Sequence, residues 1–387
     1  MKIAKSVNRL GTESVYSIFA KTKKLEKQGK KIIDLSLGQS DFKSPKHVVD
    51  ATIKALKDGH HGYTLPNGII ECREAVSRKI KSLYNANIDP ERIIIMPGGK
   101  PTMHYAISFF GEPDAEIIYP DPGFPIYESM INYTGAKAVP FNMLESKDFS
   151  INPDKILPLI NEKTRLIILN NPNNPTGGFT EKTIIDKLAR GLAKFPHVAI
   201  LTDEIYSRLI FDKKEIPTLL NYPELYDRLI VLDGWSKTYA MTGWRLGWGV
   251  WPESLIEHVF KFCVNNHSCV NTAAQYGAIT ALDGPEDHLN DMMKEFTIRR
   301  KLIVDGLRSL KGVECSLPGG SFFVFPNVKG TGMDGEEFTE RCLQKAGVAM
   351  IPGTAFGKFA TNHVRFSFAT SRENISKAIE KIDKILK

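Results

Sequence analysis

Cysteine is scarce and scattered in this chain of 387 residues: Cys72, Cys263, Cys269, Cys315 and Cys342 form no CxxC pair and no Cys/His cluster. That argues against a disulfide framework and against a structural zinc site, so no metal is expected. Reduced thiols suit a cytoplasmic compartment. No apolar run approaches the roughly 18 residues that a membrane span requires. Lys2, Lys5 and Arg9 at the N-terminus are followed by no apolar stretch of a secretory leader. No charge of one sign dominates either. The 51 basic and 44 acidic residues are interspersed and leave a net charge of +7, a weak footprint for nucleic acid or a membrane surface. Glycine and proline, at 30 and 22, stand at ordinary levels, which removes collagen-like and disordered readings. There is no internal repeat, no GxGxxG fingerprint after a strand and no GxxxxGK[ST] loop.

What is present is an alternation of two periods. At roughly 150 residues per domain, the length allows two to three domains. Between about residues 90 and 260, short apolar runs alternate with helical patterns. The runs are Ile93 to Met96, Glu116 to Tyr119, Ala136 to Phe141, Leu166 to Leu169, Val198 to Thr202, Leu229 to Leu232 and Leu246 to Trp251. Helical stretches follow at Thr102 to Phe110, after Pro125, after Pro153 and at Glu181 to Lys194. Continuous apolar strands separated by helices predict an α/β fold, with a mostly parallel, seven-stranded sheet between helices. The ends differ. A charged helix over 12–28, a strand at Lys31 to Leu35, a long polar helix at about 286–310 and short strands at Phe322 to Phe325 and Val364 to Phe368 are expected. With helices at Gly335 to Ala346 and Glu373 to Leu386, they predict a smaller α+β domain from both termini. The division is drawn as 46–289 for the large domain and 1–45 with 290–387 for the small one.

Several residues sit where strands end. Gly98-Gly99-Lys100-Pro101 joins a strand to a helix, where glycines admit a close ligand and Pro101 suits the first helical turn. Free N–H groups there attract an anion, although a bare turn would use the same residues. Asn170 to Gly177, with Asn174 inside it, is a rigid polar turn at a strand end, also explicable by turn chemistry alone. Asp203 ends an apolar strand, where it needs a cationic partner or a helix to cap. Lys237 and Arg245 lie in a stretch holding all four tryptophans, Trp235, Trp244, Trp248 and Trp251, which predicts an aromatic, dry setting for the lysine. A desolvated lysine can condense with aldehydes. Together these groups supply what pyridoxal 5'-phosphate needs. Gly99, Lys100 and Arg245 suit the phosphate, Lys237 the aldehyde and Asp203 the pyridinium nitrogen; Tyr206 and Asn174 suit the phenolic oxygen, and Phe124 the ring face.

The motifs Asn174-Pro175-Thr176-Gly177, Asp203-Glu204-Ile205-Tyr206, Ser236-Lys237-Thr238-Tyr239-Ala240-Met241-Thr242-Gly243-Trp244-Arg245 and Val364-Arg365-Phe366-Ser367-Phe368 occur in this order. In wording and order the chain resembles the class I aminotransferases of the pyridoxal-phosphate fold-type I superfamily, especially the bacterial and archaeal aspartate aminotransferase branch. The resemblance runs from Leu35 to the last helix. It implies that Lys237 carries the cofactor and shuttles a proton, and that Ser236 joins Gly99, Lys100 and Arg245 on the phosphate. It further implies that Arg365 forks onto the substrate α-carboxylate beside Gly38 and Asn174, and that Tyr63 reaches the phosphate of a neighbouring subunit. Lys100 resembles a lysine that reads a distal carboxylate. Two positions depart from the pattern: Gly234 stands where many relatives carry serine, and Pro101 where many carry glutamine.

The function expected is a ping-pong transfer of an amino group from an amino acid, best aspartate or glutamate, to 2-oxoglutarate. The partners expected are amino-acid and 2-oxo-acid substrates and a second copy of the chain, in a homodimer with shared active sites; no nucleic acid and no membrane are expected. An aminotransferase for neutral or aromatic amino acids and a C–S β-lyase remain open on the same scaffold. A non-catalytic regulator would need a DNA-binding module, for which residues 1–11 leave no room ahead of the first helix.

Overall fold

Each of the seven apolar runs becomes a strand. In the computed structural model, which describes residues 1–11, 14–212 and 215–387, they are β1 (Ile93–Met96), β2 (Glu116–Asp121), β3 (Lys137–Asn142), β4 (Thr164–Asn170), β5 (Ala199–Asp203), β6 (Leu229–Gly234) and β7 (Gly247–Val250). They form one sheet in the order β1-β7-β6-β5-β4-β2-β3. β7 runs antiparallel to both of its neighbours, and the remaining pairs are parallel. The runs are apolar without alternation because both faces are covered. Ile93 and Ile95 pack into one core, while Ile94 and Met96 pack into another on the opposite face. Parallel neighbours require crossovers, and the helices Ile126–Thr134, between β2 and β3, and Lys182–Leu192, between β4 and β5, provide two of them. One edge of the sheet therefore collects the C-terminal ends of the parallel strands, where open α/β sheets bind ligands.

The two termini meet. Ile33–Asp34 pairs in parallel with Val348–Ala349, and the Ser367 amide donates to the Leu35 carbonyl at 2.8 Å. Phe323–Val324, Val364–Ser367 and Ile351–Pro352 form an antiparallel ladder of three. The phenylalanines Phe296, Phe322, Phe338, Phe366 and Phe368 fill the core behind it. The charged N-terminal helix is described over Ser14–Lys27, and Thr12 and Glu13 lie outside the described residues. The stretch expected as one helix from Gly335 to Ala346 is an α-helix to Arg341 followed by a π-helical turn at Cys342–Ala346. The last helix, Arg372–Leu386, is capped by Ser371 Oγ, which accepts from the Asn374 amide at 3.2 Å. The long helix Asp287–Ser309 runs across the 289/290 division drawn from the sequence. Among the described residues no helix is long and apolar enough to cross a membrane.

Candidate active site

A cavity of about 320 Å³ opens at the C-terminal edge of the sheet. Gly38, Gly99, Lys100, Phe124, Asn174, Asp203, Tyr206, Ser236, Lys237, Arg245 and Arg365 all line it. Strand ends deliver Lys100, Phe124, Asn174, Asp203 and Lys237; Gly38 and Arg365 arrive from the segments that join the two termini. Tyr63 does not line this cavity. Its side chain stands 92% exposed on the surface of the single chain.

Lys237 lies in the short helical turn Trp235–Thr238 after β6, and its Nζ donates to the Gly38 carbonyl at 2.6 Å. Burial pushes its pKa down to about 8, and the guanidinium groups of Arg365 and then Arg245 push the same way, against the attraction of Asp203. An ammonium so placed gives up its proton more readily than an exposed lysine. Asp203, at the tip of β5, is buried. Its Oδ2 accepts from the Tyr127 hydroxyl at 2.8 Å and its Oδ1 from the Ile205 amide at 3.2 Å. Burial raises this carboxyl to about 6, with those hydrogen bonds and Lys237 opposing. Asp203 caps no helix, because the chain after it forms only a turn over residues 205–208.

Part of the cavity wall gathers groups that suit an anion. Gly98 has φ of +92°, and a Cβ there would lie 2.3 Å from Arg245 Nη2. Only glycine lets that guanidinium lie against the loop. The helix Lys100–Phe110 starts beside it with its first amides unpaired within the helix, and Ser236 closes the other side. These groups could hold a phosphate. Gly234, the departure from the serine of many relatives, has a structural reason. A Cβ there would lie 2.7 Å from the Cα of Gly247 and 3.0 Å from the Leu246 carbonyl oxygen, so the close approach of β6 and β7 excludes a larger residue.

Another part of the wall is a fixed guanidinium. Arg365 Nη1 donates to Asn174 Oδ1 at 2.9 Å and Nη2 to the Ser36 carbonyl at 2.6 Å. Phe323 and Phe356 flank its Cζ at 4.3 and 4.7 Å from their ring centroids. Asn174 is itself set by Asn170, whose Oδ1 accepts the Asn174 amide at 2.9 Å and whose Nδ2 donates to the Asp203 carbonyl at 2.9 Å.

The aromatic setting of Lys237 does not come from tryptophan. Trp235 Nε1 donates to the Ala278 carbonyl, Trp244 Nε1 donates to Ser44 Oγ, and none of the four tryptophans lines the cavity. Tyr206 and Phe322 supply the rings instead, at 5.9 and 5.7 Å from Nζ. Tyr127, Phe322, Phe323, Phe356 and Ser36 were not expected at the site from the sequence. Each acts through a long-range contact that no local motif marks.

Known proteins share this plan. The family model described as "Aminotransferase class I and II" matches residues 30–382. An aspartate aminotransferase of Pyrococcus horikoshii is 36% identical over 99% of this chain and 97% of its own. A (5-formylfuran-3-yl)methyl phosphate transaminase of Methanocaldococcus jannaschii is also 36% identical, over 96% of each chain. The crystal structure of the aspartate aminotransferase of Rhizobium meliloti superposes with a TM-score of 0.95 at 29% identity, over 100% of this chain and 99% of that one. With the family match spanning nearly its whole length, the chain belongs to the class I and II aminotransferases.

Proposed function

We propose that the cavity seats pyridoxal 5'-phosphate and that the chain moves the amino group of aspartate or glutamate to 2-oxoglutarate. The observation that carries this reading is Lys237, a buried amine with a depressed pKa that lines one cavity together with the buried Asp203 and the guanidinium groups of Arg245 and Arg365. The residues fit the cofactor. The glycine cradle at Gly98 and Gly99 would be filled by any Cβ, and the donor set pairs amides and Arg245 with an amine and a buried carboxyl.

The chemistry the cofactor supplies when bound is an aldehyde for amines and an electron sink for the pair left at the substrate Cα. Gly99, Lys100, Ser236 and Arg245 would bind its phosphate, and Phe124 would pack on its ring. Asp203 would face its pyridine nitrogen: a carboxyl raised to about 6 by burial is one that a neighbouring cation holds ionised. Tyr206 and the side-chain Nδ2 of Asn174 would donate to its phenolic oxygen. Arg365 would receive the α-carboxylate in a bidentate fork, which orients the Cα–H bond towards Lys237. The neutral Lys237 amine would take that proton from Cα and deliver it to the cofactor's former aldehyde carbon, on the far side of the amino nitrogen, acting as general base and then acid.

Lys100 would read the distal carboxylate; its Nζ lies 5.4 Å from the Phe124 ring, on the cavity wall. The aspartate aminotransferase activity of the Pyrococcus horikoshii relative supports the acidic donor, whereas the Methanocaldococcus jannaschii relative acts on a phosphate ester. A panel of amino donors with 2-oxoglutarate, followed by absorbance of the bound cofactor, tests this. Aspartate and glutamate should lead. A lead for alanine or phenylalanine would overturn the substrate, and pyruvate released without an acceptor would point to a β-lyase. The exposed Tyr63 and Leu65 would serve a second copy, Tyr63 reaching the partner's phosphate. Mixing inactive Tyr63→Ala and Lys237→Ala chains should restore activity through one intact composite site. No recovery under proven subunit exchange would reject a shared site.

A further inference from the structure

We propose that Asp121 is a positioning residue: it ties the turn carrying Phe124 to the segment carrying Phe356, and so holds Phe356 on the face of Arg365. This rests on Arg365 being the substrate-carboxylate seat.

Asp121 ends β2 and is 1% exposed. Its Oδ2 accepts from the Lys358 amide at 3.1 Å and its Oδ1 from the Phe359 amide at 3.4 Å. The approach depends on the residue just before those amides. Gly357 has φ of +145°, and a Cβ on it would lie 1.9 Å from Asp121 Oδ1. A second stitch lies beside the first, where the Gly123 amide donates to the Phe356 carbonyl at 2.8 Å. The turn 121–124 thus grips the segment 356–359 at both of its ends. On one side of the grip Phe124 lines the cavity; on the other, Phe356 lines it with its ring 4.7 Å from the Arg365 Cζ. The segment leads back into the Arg365 strand, since Ile351 pairs with Arg365 and the Gly353 amide donates to the His363 carbonyl at 2.7 Å.

A carboxylate is a costly choice for this task. Burial raises it to about 6 and Glu128 pushes the same way, while the Phe359 and Lys358 amides and the Lys358 ammonium oppose. A neutral acceptor would fill the space at less cost. What the carboxylate adds is two charge-assisted acceptors aimed at consecutive amides, which fix the orientation of the segment. With Phe356 loose, the guanidinium loses one of its flanking rings and its fork is no longer held square to an incoming carboxylate.

The test is steady-state kinetics of the cofactor-loaded enzyme with Asp121→Ala, Asp121→Asn, Gly357→Ala and Arg365→Ala. Asp121→Ala should raise the amino-donor KM about tenfold, the loss of one charge-assisted hydrogen bond, with kcat and cofactor affinity changed less than about twofold. Asp121→Asn should fall between, since its Oδ1 still accepts one amide. Gly357→Ala breaks the grip while leaving Asp121 in place and should reproduce the same KM signature, so a poorly folding Asp121→Ala does not end the test. An unchanged KM in Gly357→Ala, or a parallel loss of kcat, KM and cofactor affinity, would make the contact merely structural and overturn the proposal. Arg365→Ala separates the two levels. If it raises KM while the grip variants do not, this proposal alone falls; if it leaves KM unchanged, the carboxylate seat falls and takes the proposal with it.

Discussion

The two seats proposed for anions in the cavity are made in opposite ways. The seat at Gly98 to Lys100 draws on backbone amides and two short stretches of chain, 98–100 and 236–245, and glycine provides the room. The seat at Arg365 is a single side chain held by Ser36 and Asn174, which stand 329 and 191 positions away in the sequence, and by two phenylalanine rings. A seat of backbone amides tolerates side-chain motion because its donors belong to the fold. A seat of one guanidinium depends on every contact that orients it. Lys237 lines the same cavity and feels both, Arg365 more strongly than Arg245.

Removing the amine that shares their cavity gives the largest effect. Lys237→Ala should lower turnover by about a thousandfold or more, the upper part of what a positioned acid–base group contributes, while cofactor retention on the phosphate seat survives. Loss of binding together with turnover would show that the amide seat cannot hold the cofactor alone. Next comes the fixed seat. Arg365→Ala should cost about 2–5 kcal/mol in kcat/KM, roughly thirtyfold to several thousandfold, and Arg365→Lys should recover little of it because lysine lacks the planar fork. Full recovery by lysine would mean that charge matters there and orientation does not.

Lys100→Ala should lower kcat/KM for aspartate and glutamate by ~1.5–3 kcal/mol, roughly ten- to a hundredfold, with a far smaller change for alanine or phenylalanine. An equal loss for all donors would assign Lys100 to the phosphate seat only. The smallest expected effect is electrostatic. In the cofactor-free protein, condensation of Lys237 with a carbonyl reagent should accelerate as pH rises and level off above about 8, because the neutral amine is the reactive form. Arg365→Ala removes the larger cationic influence and should move that midpoint upward, and Arg245→Ala should move it upward by less. A larger shift from Arg245 would invert the order of the two seats.

The same contrast explains what was legible in the sequence. The strands of the large sheet could be read within a few residues because burial on both faces demands unbroken apolar runs, as in Ile93 to Met96. The glycine cradle and Asp203 stood out at strand ends. Arg365 drew notice through family resemblance alone, and its supports, Ser36, Phe323 and Phe356, carry no local mark. Tyr127, the partner of Asp203, lies 76 positions before it. The tryptophan cluster misled for the same reason: residues near Lys237 in sequence turn their rings into the packing around the sheet, and rings from positions 206 and 322 face it instead.

Lys237 is proposed as the one covalent seat of the cofactor, in the cavity that holds both anion sites. The most direct measurement is to load the protein with pyridoxal 5'-phosphate, reduce it with borohydride and map the peptides. The pyridoxyl group should appear on Lys237, in one copy per chain, and labelling should disappear in Lys237→Ala. Label on Lys100 or any other lysine, or unchanged labelling in the variant, would contradict the account.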